Sequence, residues 1–262
     1  MLDDRIIHAA RNNARWCDAV CRAHGNPGEF HDDLWINRHR VPRFYPNAGT
    51  LADPSRRQLE LIDELLGARL PSGWAVKDSL SALDLASRGF RVLFGAEWIY
   101  LPVSRMKVIG SSARWEIVRN DLALAEWEFA WGRSAGDTSE ERIFLPSLLD
   151  DKDIAMVARY RDGRIVAGAV ANRSDGVVGW SNFFAPAAEM LDRARESLAT
   201  IAAVFPGSPI VGYEQGAELR NAHALGFESL GRCESGRFSP SENYSPITLI
   251  RMRLERRPSN SP

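Results

Sequence analysis

The chain has 262 residues, of which 45% are hydrophobic and 26% charged, and a formal net charge of −1. This is the composition of a soluble globular protein of one large or two ordinary domains. It exerts no global pull on nucleic acid or an anionic membrane, and three cysteines make no disulfide framework. No apolar run approaches the roughly 20 residues that cross a bilayer. The start, Met1 to His8, lacks a charged-then-apolar signal pattern. A reduced, cytoplasmic protein without nucleic-acid or membrane partners is the expectation. Lys77, Lys107 and Lys152 are the only lysines, an arginine bias that suits a GC-rich, bacterial genome as well as any function.

Residues 3–24 are predicted to form a helix, because Ile6, Ala10, Ala14, Cys17 and Cys21 recur at steps of three and four. Gly25-Asn26-Pro27-Gly28 ends it. Cys17, Cys21 and His24 share one face of that helix. The spacing lacks a fourth metal donor, so core packing is the stronger reading. Short extended pieces follow near 34–36 and 44–51, broken by Pro42 and Pro46. Arg38-His39-Arg40-Val41-Pro42-Arg43-Phe44-Tyr45 mixes basic and aromatic residues, and reads as a solvated loop that could also meet an anion. Asp53-Pro54-Ser55 opens a helix through Leu66. A strand–helix–strand unit spans about 73–101.

A polar break at 110–113 precedes the second half. Trp115–Val118 reads as a strand, and Asn120-Asp121 caps a helix carrying Leu124, Trp127 and Trp131. Arg133–Arg142 is a polar loop, and Ile143–Leu149 a short helix. Ile154–Tyr160 and Ile165–Asn172 form a hairpin, because Asp162-Gly163 supplies the positive φ angles of its turn. Ser174-Asp175-Gly176 turns into a strand over Val177–Phe184. A helix over 188–205 and a second strand–helix–strand unit follow. Ile247–Leu254 is expected as a last strand, whose exposed edge offers a route to a homodimer, and 256–262 as a disordered tail.

The two strand–helix–strand units are alike. Each ends its helix on Gly-Phe before the next strand, at Gly89-Phe90 and Gly226-Phe227, and the second glycine follows the first by 137 positions. A glycine there adopts the left-handed C-cap conformation that a side chain disfavours. A unit that occurs twice points to a duplicated fold.

The order β-α-α-β-β-β-α-β-α-β-β over residues 115–254, with its ending in Leu225-Gly226-Phe227, resembles the GNAT superfamily of acyl-CoA-dependent N-acyltransferases. The hairpin 159–168, with Gly168 and Ala169 in its second strand, is similar to that family's central strands. The resemblance implies an α/β fold with a mixed sheet (α+β), arranged as a tandem of GNAT-like units. The division would be a degenerate, shortened N-terminal domain at 1–110 and a complete acyltransferase domain at 111–255. It also implies acetyl-CoA as acyl donor, lying between the strands 177–184 and 209–213, and a small-molecule amine as acceptor attacking the thioester directly.

Two family signatures differ here. The phosphate-wrapping loop, rich in glycine and basic at its start, is replaced by Phe183-Phe184-Ala185-Pro186-Ala187-Ala188. The tyrosine four residues before the glycine of Gly-Phe is Ala222, and Leu85 in the first half. The asparagine seven residues earlier is Gln215, and Asp78 in the first half.

Tyr213 and Glu214 end a strand at its carboxyl end, where open α/β sheets bind ligands. They are the candidate acid and base, although a carboxylate near a helix N-terminus is also favoured electrostatically. Ser181, Asn182, Phe183 and Phe184 fall where the resemblance places contacts to the donor. They also suit the edge of a strand satisfying its own backbone. Lys77 and Asp78 are the matching pair of the first half; Lys77 could meet an anion or pair with Asp84, and Asp78 suits a helix N-cap. Two readings of function follow: an N-acyltransferase, or a GNAT-fold module that binds a metabolite or partner without catalysis. A third gives the first half the substrate site, at a groove between the halves.

Overall fold

The computed structural model describes residues 3–68, 74–106 and 115–239. The polar break, the expected strand 247–254 and the tail lie outside the described residues. Helix α1 (Asp4–Ala23) starts at Asp3, whose carboxylate accepts the Arg5 backbone N–H. The short strands β1 (Glu29–Phe30), β2 (Leu34–Ile36) and β3 (Ala48–Thr50) follow. Helix α2 (Arg56–Gly67) is fixed by a reciprocal cap in which Ser55 and Gln58 bond each other's backbone N–H.

Strand β4 (Ala75–Asp78) leads to β5 (Phe90–Leu101) without the helix expected between them. The Asp78 carboxylate accepts the backbone N–H groups of Leu80, Ala82 and Leu83 instead. Ser81 adopts φ +50°. A buried Asx side chain thus draws the backbone donors away from a helix, and only a 3₁₀ turn forms at Ala86–Arg88. Gly89 still takes the left-handed conformation, at φ +82°.

The second half follows the expected order. It contains β6 (Trp115–Ile117), α3 (Asp121–Ala135), β7 (Ile154–Arg161), β8 (Arg164–Ser174) and β9 (Val177–Phe184). Then come α4 (Met190–Val204), β10 (Ile210–Glu214), α5 (Gly216–Ala224) and β11 (Glu228–Phe238). Asn120 caps α3 by accepting the Ala123 N–H at 2.9 Å. Both Asp-Gly turns carry the expected positive φ, with Asp162 and Asp175 each at +52°. The short helix expected at 143–149 is a 3₁₀ turn over Pro146–Asp150.

The eleven strands among the described residues form one mixed sheet in the order β1-β2-β3-β4-β11-β5-β10-β9-β8-β7-β6. Strands from before and after residue 110 interleave at its centre. Here β5 pairs antiparallel with both β11 and β10, and β11 pairs with β4. The order is symmetric about the β5–β11 pair, since β4 and β10 flank it and each runs parallel to the next strand out, β3 or β9. Ala96 lies opposite Cys233 in this pair, and those two positions are themselves 137 apart.

One face of the second half is covered by α1 and α3, through Trp16, Val20, Trp127, Phe144 and Phe184. The other is covered by α4 and α5, whose Leu198, Ile201 and Ala222 pack with Val178, Trp180 and Phe227. Helix α2 buries Leu61, Ile62 and Leu65 on β2 and β4.

Candidate functional site: the splay of two parallel strands

Strands β9 and β10 are paired at only two positions, Val178 with Ile210 and Gly179 with Val211. Beyond these, each strand stays paired on its outer side. Ser181 faces Val170 of β8, and Tyr213 and Glu214 face Trp98 and Glu97 of β5. The inner edges of the two strands therefore have no strand partner from Trp180 and Gly212 onward. Backbone N–H and C=O groups so exposed are ready to bond an extended ligand.

A bulge sharpens the opening. The β8–β9 register slips between Val170/Ser181 and Gly168/Phe184, and Asn182 sits at φ +51°. Asparagine tolerates that conformation better than most side chains. Ser181 Oγ and Asn182 Oδ1 are 3.0 Å apart, with the hydroxyl donating.

Helix α1 roofs the splay. Asn12 is buried, and its Nδ2 donates to the Asn172 carbonyl at 2.9 Å while Asn172 Nδ2 donates to the Asn12 carbonyl at 3.1 Å. The approach is so close that a Cβ on Gly179 would lie 2.3 Å from Asn12 Oδ1. Ala9, Asn12, Trp16, Trp98, Ser181 and Tyr213 are among the residues around a recess of about 20 Å³, room for roughly one water-sized group.

The charged groups of the site are unusual. Lys77 is buried, and its Nζ lies 3.0 Å from the centre of the Tyr213 ring and 4.5 Å from that of Trp98. It has no hydrogen-bond partner among the described residues, and pairs with nothing at Asp84, whose carboxylate caps Ser87. Burial lowers the Lys77 ammonium to about 8, against the opposing pull of Cys233, Cys17 and Glu214. Burial raises Glu214 to about 8, reinforced by Glu218 and opposed by Lys77. Tyr213 is held well above the ordinary phenol range, again chiefly by burial. Its ring stacks on Phe94 at 6.3 Å and meets Trp98 edge-on at 5.5 Å.

Of the residues picked from sequence, Tyr213, Glu214, Ser181 and Asn182 all fall at the splay. Phe183 packs half-buried on Trp180 at 5.2 Å. Phe184 lies in the core on the α3 face, 5.3 Å from Trp127. Cys17 and Cys21 are buried and raised to about 12, mainly by burial, and His24 Nε2 lies 2.8 Å from the Ile143 carbonyl. Core packing is their role, and no cluster of potential metal ligands occurs among the described residues. The basic segment spends its charge internally, Arg38 on Glu29 and Arg43 on Asp137.

Known structures share this architecture. A GCN5-related N-acetyltransferase from Kribbella flavida superposes with a TM-score of 0.60 at 18% identity, over 89% of this chain and 96% of that one. The chain has the GNAT fold. The same fold relates it to a GCN5-related N-acetyltransferase from Sphaerobacter thermophilus, with a TM-score of 0.50 at 12% identity over 90% and 96% of the two chains. Saccharomyces cerevisiae N-myristoyltransferase, solved with myristoyl-CoA, superposes at 0.54 and 8% identity, over 79% of this chain and 61% of that one. No protein-family model matches the sequence, and no curated protein does. No helix among the described residues is long and apolar enough to cross a membrane.

The GNAT fold raises the question of whether these residues suit an acyl-CoA. Its thioester arm fits, because the splay offers two unpaired strand edges. Its diphosphate does not. The turn from β9 into α4 has no glycine, Pro186 removes one N–H donor, and the N-cap residue of α4 is the acidic Glu189, whose carboxylate is bound to Arg161 and Arg193.

Sequence reasoning missed Asn12 and the setting of Lys77. Asn12 carried a faint signal, as an amide one turn from Ala9 and Trp16 on a mostly apolar helix. Lys77 carried none, since its aromatic neighbours come from β5 and β10.

Proposed function

We propose that this protein transfers an acyl group from a thioester to a small amine by direct attack at the β9–β10 splay. One observation carries the reading: two parallel strands that separate after two paired positions, with Tyr213 and Glu214 at the end of one of them. The fold shared with GCN5-related N-acetyltransferases supports acyl transfer, and the myristoyl-CoA bound by the yeast enzyme supports a thioester donor.

In this reading the donor's arm bonds the free inner edges of β9 and β10, with its carbonyl beside the backbone of Ser181 and Asn182. Phe183 borders the arm. Glu214, ionised, takes a proton from the amine as the N–C bond forms and the C–S bond breaks. Tyr213, which stays protonated, gives a proton to the departing sulfur. Lys77 is a positioning residue. Its charge pulls Glu214 back toward ionisation and its ammonium braces the Tyr213 ring.

The symmetric sheet, with Gly-Phe opening both β5 and β11, supports a tandem origin, with units at 1–110 and 111–255. Cytoplasmic residence, acetyl as the acyl group and an optional homodimer complete the proposal.

Acetyl transfer from a thioester to a panel of small amines, with Glu214→Gln alongside, tests it. Turnover by the wild type and a roughly 10²-fold or greater loss in the variant are expected for a general base. Equal turnover by both proteins would remove Glu214 from that role, and no turnover with any amine would leave the binding-module reading.

A further inference from the structure

Helix α4 begins where β9 leaves the centre of the sheet, at the carboxyl end of a strand that runs parallel to its neighbour. A helix N-terminus so placed is a ready site for a phosphate. In this chain the N-cap residue is Glu189, whose carboxylate bonds no helix N–H and is instead held by two arginines. Glu189 Oε2 accepts from Arg161 Nη2 at 2.6 Å and from Arg193 Nε at 2.8 Å, and Arg193 Nη2 lies 2.7 Å away. The other side of the Arg193 guanidinium is also taken, since Nη1 meets both Glu196 oxygens at 2.5 and 2.6 Å. Glu196 in turn accepts the Trp115 indole N–H at 2.9 Å and faces Arg159 Nε at 3.3 Å.

The two guanidiniums hold Glu189 at about 2, far below the ordinary carboxylate range. It therefore keeps its charge at any physiological pH. Asp192 adds a second carboxylate to the first turn of α4. A diphosphate arriving here would meet like charge, no glycine cradle, and an Arg193 whose donors are already engaged.

We infer that Glu189 sets the donor preference of the site, turning it from CoA toward acyl groups carried on a pantetheine arm without the nucleoside diphosphate. The inference rests on the acyl-transfer reading of the splay and adds the class of donor to it. The thioester arm keeps the strand edges of β9 and β10. What CoA gains elsewhere from its diphosphate, it does not gain here.

Calorimetric titration of the full chain with CoA and with pantetheine, both as free thiols under reductant, tests this without any need for turnover. The wild type is expected to bind the two within roughly threefold of each other. Glu189→Gln frees Arg161 and Arg193 and is expected to tighten CoA by about tenfold or more while leaving pantetheine unchanged. That gain should shrink as salt rises. Wild-type protein that binds CoA a hundredfold tighter than pantetheine would overturn the inference, and this comparison needs no variant. So would an unchanged CoA affinity in both Glu189→Gln and Glu189→Ala, with the splay reading left standing. Failure of both ligands to bind wild type and variants alike would overturn the inference and the splay reading together.

Discussion

Replacing Lys77 by methionine should make the protein more stable. The side chains are similar in length, so the packing against Trp98 and Tyr213 is kept while a buried ammonium with no hydrogen-bond partner among the described residues is removed. Lys77 titrates at about 8 in the folded protein against 10.5 ordinarily. That difference in proton affinity corresponds to about 3 kcal/mol of destabilisation wherever the lysine is charged in the unfolded chain. Because the folded value is the lower one, the unfolded chain binds more protons between about 8 and 10.5, and this contribution to stability rises with pH across that window. The full penalty is present below about 8 and is gone above 10.5. Glu214 offsets little of it at pH 7, since it too is mostly protonated below about 8.

Thermal unfolding of wild type and Lys77→Met at pH 7 and at pH 10 provides the measurement. A gain of about 3 kcal/mol in a chain of this size is a rise in Tm of roughly 6 °C at pH 7, and the gap should narrow at pH 10. A variant that is equally or less stable at pH 7, with a gap that does not change with pH, would refute the reasoning. The stability cost also bears on function, because strongly perturbed buried groups gather where chemistry is done.

Four further outcomes are expected. Acyl-transfer rate should climb with pH toward a plateau above about 8 as Glu214 ionises, and the climb should vanish in the residual rate of Glu214→Gln. Gly179→Ala should cost roughly 1–3 kcal/mol in denaturant unfolding, because the new Cβ would lie 2.3 and 2.4 Å from the amide oxygens of Asn12 and Asn172. Asn12→Ala should cost a similar ~1–3 kcal/mol by stripping a donor from the buried Asn172 carbonyl. The double variant should fall short of the sum of the two, since both changes act on one α1–sheet contact.

The second half was legible because its signals are local. Asn120, the two Asp-Gly turns and the Gly226-Phe227 ending each act on backbone within a few residues, and α3, the β7–β8–β9 meander and β10–α5–β11 follow from them. The first strand–helix–strand unit misled for an equally local reason. The sequence after Lys77 has helical spacing, but Asp78 is buried and its carboxylate outcompetes the helix for three backbone N–H groups. Nothing in the linear pattern says that Asp78 will be buried.

Patterning and turn chemistry alone determined the elements of the second half from α3 to β11 apart from the 3₁₀ turn at Pro146–Asp150, that Gly89 and Gly226 end their segments in a left-handed conformation, and that Tyr213 and Glu214 end a strand. Tertiary structure decided the rest. It slid β5 between β10 and β11, so that the two Gly-Phe strands became neighbours at the centre of one sheet. It brought Lys77 under the ring of Tyr213, and placed Glu189 between Arg161 and Arg193. The reason is physical: capping and turn formation act over a few residues. The shifted proton affinities of Lys77 and Glu214 arise from burial among strands far apart in the chain, and burial exists only once the sheet has closed.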